Sequence, residues 1–403
     1  MTYTLKLASA ATAAAMGTAL ADPTPLDVTS VSEPAHIGDW ANSLKTFGNF
    51  HSDSSSPYIQ ELKFFGRAQW QYAAIDGSDA NGDSFDNDFT EFRRVRVGAQ
   101  IKFLNNFTLK GNINLVDDDA TSGGSESLGY QDFDQLKLTY KVKDFAGFDT
   151  FSASYGRHKI ALGHEGHETS KKIKTVERSA LANRLTASAR YTGLTLSAQK
   201  GDWSGIFGVL STADSGDDLT GWNEGQALYL NSKHKALNGD VTLDAFYSLD
   251  ESEDEVSTNG WATSVSYETN INNWDLAITA AYGEGLDDDN FYGVVISPST
   301  YIIEDKLEFV ANYQFQGSSE DDGIRTNSRY FRATDDGNGG FGDADANVSG
   351  GFGDSHHSIY AGLNYYFSGH QSKVQVGVEY ENIDTPDGNA DATTLVAAYR
   401  LFF

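Results

Sequence analysis

The chain of 403 residues contains no cysteine. That excludes a disulfide framework, thiol chemistry and any Cys-based metal site. It also sets the chain apart from small secreted domains held together by disulfides. Methionine occurs only at Met1 and Met16, and four of the six prolines fall within residues 22–59. Beyond the first residues no apolar run reaches the roughly 20 residues that a membrane helix needs, so a helical membrane protein is excluded. Positive charge is also short. Asp and Glu number 57 against 29 Lys and Arg, a net charge of −28, which excludes nucleic-acid binding through a basic surface. Length alone suggests two or three soluble domains, yet nothing resembles a linker between two cores.

What is present begins with an N-terminal pattern in three parts. Lys6 precedes a small-residue apolar stretch from Leu7 to Leu20, and Ala19-Leu20-Ala21 precedes Asp22-Pro23. This predicts a signal peptide over 1–21, cleaved after Ala21, and therefore export. Residues 22–59 are rich in Pro, Ser, Asp and Asn. They read as an N-terminal arm in the periplasm, with one short amphipathic helix between Ile37 and Phe47.

From residue 60 to the end, short segments alternate apolar and polar residues, the period-two signal of strands. In Glu61–Ile75 the apolar set is Leu62, Phe64, Ala68, Trp70 and Tyr72, against Lys63, Arg67, Gln69 and Gln71. In Phe92–Phe103 it is Val95, Val97, Ala99, Ile101 and Phe103, against Arg94, Arg96, Gln100 and Lys102. In Phe107–Leu115, Phe107, Leu109, Ile113 and Leu115 oppose Thr108, Lys110, Asn112 and Asn114. Similar segments cover 133–143, 149–158, 188–200, 203–212, 225–236, 239–251, 259–270, 274–285, 290–300, 304–316, 356–368, 371–382 and 392–403, about sixteen strands in all.

Every second connection is short and built of turn residues, such as Asn105-Asn106, Gly201-Asp202, Asn238-Gly239 and Asn272-Asn273, which are hairpin signals. The others read as long, Gly-rich and acidic: Asp76–Asp88, Asp117–Ser127, Asp214–Asp218, Leu249–Gly260 and Gly317–His356. That alternation is the signature of an outer-membrane barrel, with short turns in the periplasm and long loops outside. Within a bilayer every backbone polar group needs a partner inside the protein, so the strands must close on themselves. The expectation is an all-β transmembrane antiparallel barrel over 60–403, with its apolar face on lipid and its polar face on water. Gln, Lys, Arg, Thr and Asn dominate the inner parity. Aromatic residues near strand ends, among them Trp261, Trp274, Tyr282, Tyr360, Tyr365, Tyr366 and Tyr380, suit interfacial girdles. The terminal Tyr399-Arg400-Leu401-Phe402-Phe403 resembles the outer-membrane insertion signal of bacterial barrels.

The run Phe92-Arg93-Arg94-Val95-Arg96, following Phe65-Gly66-Arg67-Ala68-Gln69, resembles the phosphate-selective porin O/P family. So does Tyr155-Gly156-Arg157, followed by Gly163, Glu168-Thr169-Ser170-Lys171-Lys172 and Glu177-Arg178. The resemblance is best over roughly residues 60–200. It implies a homotrimer of sixteen-stranded barrels in the bacterial outer membrane. In that family a ladder of arginines leads anions to a constriction made by a loop folded into the pore, where lysines bind them. Carried over, Arg67, Arg93 and Arg94 match ladder positions. Lys171, Lys172 and Lys174 match the constriction cations, and Arg178 falls in the matched Glu-Arg pair. Parity independently turns Arg67, Arg94, Arg96, Lys102 and Lys110 to the lumen, where charge tunes selectivity. Arg93 has lipid-facing parity at the outer end of its strand. One departure is plain: the basic cluster of a mid-chain outer loop has no counterpart, and Leu249–Val256 is acidic instead. An acidic mouth opposes a basic lumen.

His158, His164 and His167 with Glu165 and Glu168 bring metal chemistry to mind, but the spacing is H-E-x-H and does not put two histidines on one helix face. No metal and no cofactor is expected. A barrel enzyme of the phospholipase kind would need Ser, His and Asn or Asp arrayed on the lipid-facing surface, and no His stands on an apolar strand face near a matching Ser. A structural or adhesive barrel without an open pore would need a filled lumen. The expected function is a passive porin for small hydrophilic solutes or anions, not an enzyme. Its expected partners are outer-membrane lipid and its own copies, with no nucleic acid.

Overall fold

The computed structural model describes residues 39–116, 128–186, 190–212, 219, 221–222, 225–249, 259–286, 289–326, 329–332 and 352–403. The signal segment 1–21, most of the proline-rich arm and the acidic runs 117–127, 214–218 and 250–256 lie outside the described residues. A short helix, α1 (Asp39–Phe47), opens the described chain, within the stretch expected to be helical.

The strands are β1 (Asn49–Ser52), β2 (Ile59–Ser78), β3 (Ser84–Phe103), β4 (Phe107–Asn114), β5 (Phe133–Phe145), β6 (Phe148–Lys159), β7 (Arg190–Lys200), β8 (Trp203–Ser211), β9 (Gln226–Ala236), β10 (Gly239–Ser248), β11 (Asn259–Ile271), β12 (Trp274–Gly285), β13 (Asn290–Ile303), β14 (Leu307–Gly317), β15 (Ile324–Arg325), β16 (Phe352–Gly353), β17 (Ser355–Tyr366), β18 (Ser372–Thr385) and β19 (Gly388–Phe402). Sixteen of them, β2 to β14 and β17 to β19, form one antiparallel sheet that closes where β19 pairs with β2, from Asp391↔Ser78 to Phe402↔Arg67. Each corresponds to a segment read from the sequence. β15 and β16 pair only with each other, and β1 pairs with the start of β2 through Asn49↔Lys63. Phe403 exchanges backbone hydrogen bonds of 3.2 Å with Gly66, so the chain end is tied into the wall.

The turns at one end are tight for a local reason. Between β9 and β10, Leu237 and Asn238 both take positive φ (54° and 63°), with Ala236 paired to Gly239. A two-residue turn of this hand follows the right-handed twist of the strands. At the other end the connections are not all long. Asp76–Asp88 is mostly strand, with Asp76 opposite Asp86 and only residues 79–83 left between β2 and β3. The acidic residues there alternate with Phe85 and Phe89, both buried. Period two outweighed acidity. Only residues 386 and 387 separate β18 from β19.

The inner face departs from the all-polar expectation. Phe85, Phe89, Ile75 and Ala73 of β2 and β3 point inward and pack with Val176, Tyr330 and Phe331. Tyr330 and Phe331 belong to a helical turn, α2 (Arg329–Arg332), that the long connection after β14 places inside the wall. Tyr360 and Tyr366 are also inward and buried, whereas Tyr282, Tyr365 and Tyr380 stay exposed on the outer face. Part of the lumen is therefore packed rather than wet, and it is packed where loops turn inward.

Candidate functional site

The connection between β6 and β7, over its described residues 160–186, runs inside the barrel. It carries two short helices, α3 (Gly163–His167) and α4 (Ala180–Thr186). Its apolar residues Ile160, Leu162, Leu181 and Leu185 are buried against inward-facing Tyr191, Leu210, Phe246 and Phe291. Burying a side chain of this size contributes roughly 1.5–3 kcal/mol, enough to hold the segment off the outer surface. Gly163 lies close against the wall. Its φ is +72°, a Cβ there would stand 3.2 Å from Thr279 Cγ2, and its N–H donates to Asp244 Oδ2 and Ser264 Oγ.

Polar contacts then fasten the loop to strands around the barrel. Ala180 N donates to Gln314 Oε1 at 2.7 Å, and Gln69 Nε2 to Ser170 O at 2.9 Å. Lys373 Nζ reaches Ile173 O, and Gln375 Nε2 reaches Lys174 O at 2.8 Å. Arg400, fully buried, donates to Val176 O and Gln71 Oε1. Arg178 closes the loop on itself, donating to the carbonyls of Glu165 and Glu168 at 2.8 and 2.7 Å. Burial pushes the Glu165 carboxyl above its ordinary range, and Ser179 donates to it through both N–H and hydroxyl.

Beside this loop, along β2 to β7, runs a cavity of about 1350 Å³. It extends from Leu44, Asn49 and Phe403 at the short-turn end to Val116 and Asn183 at the other. Its described lining carries twelve Lys and Arg side chains against four Asp and Glu. Arg67, Arg93, Arg94, Arg96, Lys102, Lys110, Lys171 and Arg178, all singled out from sequence, border it. Arg67 donates to Ser170 Oγ at 2.5 Å, and Arg94 to Gln69 Oε1 at 3.2 Å. Lys102 is half-exposed and paired with Glu61 at 2.9 Å.

Arg93 corrects the parity reading. Gln69 pairs with Arg94 but Trp70 pairs with Phe92, so Arg93 is the extra residue of a β-bulge. A bulge resets the alternation, and two consecutive arginines reach the interior. Arg93 is 9% exposed and donates to Glu177 Oε1 at 2.8 Å. A second bulge at Asn112/Ile113 leaves Asp134 beside Gln135 on the same lining. Asp134 is shared by Arg96 (2.7 Å) and Arg190 (2.5 Å).

Of the loop lysines, only Lys171 faces the basic cavity. Lys172 is exposed away from it, because residues 169–172 form a turn closed by Lys172 N on Thr169 O. Lys174 lies between Asp275 (2.8 Å) and Glu308 (2.9 Å) on the far side of the loop. It borders a second cavity of about 700 Å³ together with Glu168, Asp240 and Glu268. Burial, then the charges of Arg67, Lys110 and Lys63, push the Lys171 ammonium down to about 8.

Four wall cations were not singled out as site residues: Lys63, Arg157, Lys159 and Arg190. Lys63 carried the right parity. Arg157 stands in the run Tyr155-Gly156-Arg157, and its bonds to Phe133 O and Arg190 O depend on pairing that spacing does not show.

The histidines are dispersed. His158 meets Gly156 O, His164 meets Glu268, and His167 meets Asp244. Among the described residues no group of three His, Asp or Glu is arranged around a metal position. Two histidines do face outward, contrary to expectation. His357 lies 3.1 Å from Tyr313 Oη. His234 shares its face with Ser232, whose hydroxyl accepts from Trp203 Nε1 at 3.0 Å. No hydrogen bond joins that His to that Ser among the described residues.

The family model for phosphate-selective porin O and P matches residues 62–279. No curated protein sequence matches the chain. Among solved structures, the outer membrane channel DcaP of Acinetobacter baumannii superposes with a TM-score of 0.52 at 15% identity, over 87% of this chain and 100% of that one. OprB of Pseudomonas putida at high pH gives 0.54 at 12% identity, over 91% and 97%. Salmonella typhi OmpF in complex with daunomycin gives 0.50 at 13%, over 85% and 98%. At such identities the likeness is one of fold.

Proposed function

The chain belongs to the phosphate-selective porin O and P family and is an outer-membrane porin, and we propose that it conducts small anions in preference to cations along the basic wall of its barrel. One observation carries this reading. Among the described residues, Lys63, Arg67, Arg94, Lys110 and Lys171 have no carboxylate within ion-pair distance, although they line one continuous cavity. Paired charges cancel at a distance; these do not, and low-dielectric walls focus their field on the passage. The inner loop supplies the opposite wall and narrows the route. Phosphate and chloride are the expected solutes; the signal segment 1–21 directs export, and the barrels assemble as a homotrimer.

The test is the zero-current potential across a planar bilayer under a KCl gradient. An anion-preferring sign is expected. It should weaken as pH rises through about 8, because Lys171 is charged below that value and neutral above it. A residual preference should persist on the arginines, which stay protonated. A cation-preferring sign at neutral pH would overturn the reading.

A further inference from the structure

The basic wall holds two residues that anion conduction does not require. Phe65 stands between Lys63 and Arg67 on β2 and lines the cavity; Phe402 lines it from β19, opposite Arg67. Phe65 is held in place. A Cβ on Gly98 of β3 would come within 2.7 Å of its Cζ, so the glycine leaves the ring its slot. Aromatic surface turned to water is unfavourable in proportion to its area. An inorganic anion, which keeps its own hydration, gains nothing from it.

Two ammonium groups lie over these rings. Lys171 Nζ lies 4.6 Å from the Phe402 centroid and 5.6 Å from that of Phe65, and Lys110 Nζ lies 5.2 Å from Phe65. Lys63 completes the group on the same strand. None of the three has a carboxylate within ion-pair distance among the described residues. Cations held over aromatic faces are weakly attracted there, which keeps the ammoniums close to the rings while leaving their charge unneutralised.

We propose that this short-turn end of the cavity is a binding site for small aromatic carboxylates. The ligand ring takes the place of water against Phe65 and Phe402, where aromatic rings meet at an offset or edge to face. The carboxylate meets Lys63, Lys110 and Lys171. The inference rests on the anion-preferring reading and sharpens it to a substrate class: chloride and phosphate use the charge alone, whereas an aromatic acid uses both charge and rings.

Calorimetric titration of the purified full-length porin with sodium benzoate, sodium acetate and inorganic phosphate tests it. Benzoate should bind roughly tenfold more tightly than acetate, the ratio that aromatic contacts of this kind support. Phe65→Leu, which keeps apolar bulk, should bring the two ligands within about threefold of each other. Lys171→Gln should weaken both alike and leave their ratio standing. Equal binding of benzoate and acetate to the wild-type protein overturns the proposal, and so does an unchanged ratio in Phe65→Leu. The zero-current potential under a KCl gradient is recorded on the same preparations. Chloride preference without benzoate discrimination sinks the aromatic site alone, whereas loss of chloride preference sinks the earlier reading.

Discussion

A porin carrying Lys110→Glu together with Lys171→Glu is expected to lose most of its anion preference. Both ammoniums lie over the Phe65 ring, one on β4 and one on the inner loop, and neither has a carboxylate partner among the described residues. Each substitution replaces a positive charge with a negative one at a point where the loop and the wall approach each other. At contact distance a unit charge is worth between about 1 kcal/mol in bulk water and about 4 kcal/mol near a protein surface. Even at the lower bound, two reversals correspond to at least about a tenfold fall in the chloride-to-potassium permeability ratio. Lys63, Arg67 and Arg94 remain in the cavity and sustain a residual preference, whereas Arg93, Arg96, Arg157 and Lys102 are each already paired with an acid. Zero-current potentials before and after the substitutions check this. An unchanged ratio would mean that ions bypass the short-turn end of the cavity.

Arg400→Met should release the inner loop. Arg400 is fully buried and makes three hydrogen bonds, to Val176 O, Gln71 Oε1 and Gln375 Oε1. Methionine has similar bulk and no donor. The substitution leaves three buried acceptors without that partner, and each unsatisfied group costs about 1–3 kcal/mol. The neighbouring tether, Lys373 on Ile173 O, remains. The strand itself stays in the ladder, because its backbone pairs with β18 and β2 are untouched. The barrel should therefore assemble, with a loop that no longer holds one position. Single-channel records should show larger and noisier steps than the wild type. Quiet steps of unchanged size would mean that the loop does not narrow the passage.

Much of this is legible in the sequence, and the reasons are physical. Period two in the side chains, set by the pleat, marked all sixteen wall strands, because each must present one face to lipid. The basic residues of β2, β3 and β4 followed from the same parity. What parity cannot see is a change of phase. The bulge at Arg93 adds one residue to one strand and reverses every inference beyond it; only the register of the partner strand reveals that. Nor can parity read a loop. Lys171, Lys172 and Lys174 stand within four positions of one another, yet one faces the basic cavity, one faces away and one is held between Asp275 and Glu308. The directions of Lys171 and Lys174 depend on contacts more than a hundred residues away in sequence, and that of Lys172 on a local turn. The packed part of the lumen has a signal that acidity masks, in the alternation of Phe85 and Phe89 with Asp86 and Asp88.

The absence of cysteine from the chain permits a direct test of where ions pass. Gln135 lines the basic cavity, and Ser297 lines the cavity on the far side of the inner loop. Gln135→Cys and Ser297→Cys, each the sole cysteine of its protein, are treated in the bilayer with an anionic methanethiosulfonate reagent while the zero-current potential is recorded. The account predicts that modification at position 135 moves the potential toward cation preference, whereas modification at position 297 leaves it where it was. A shift at 297 with none at 135 would place the ion path on the other side of the loop and contradict the account.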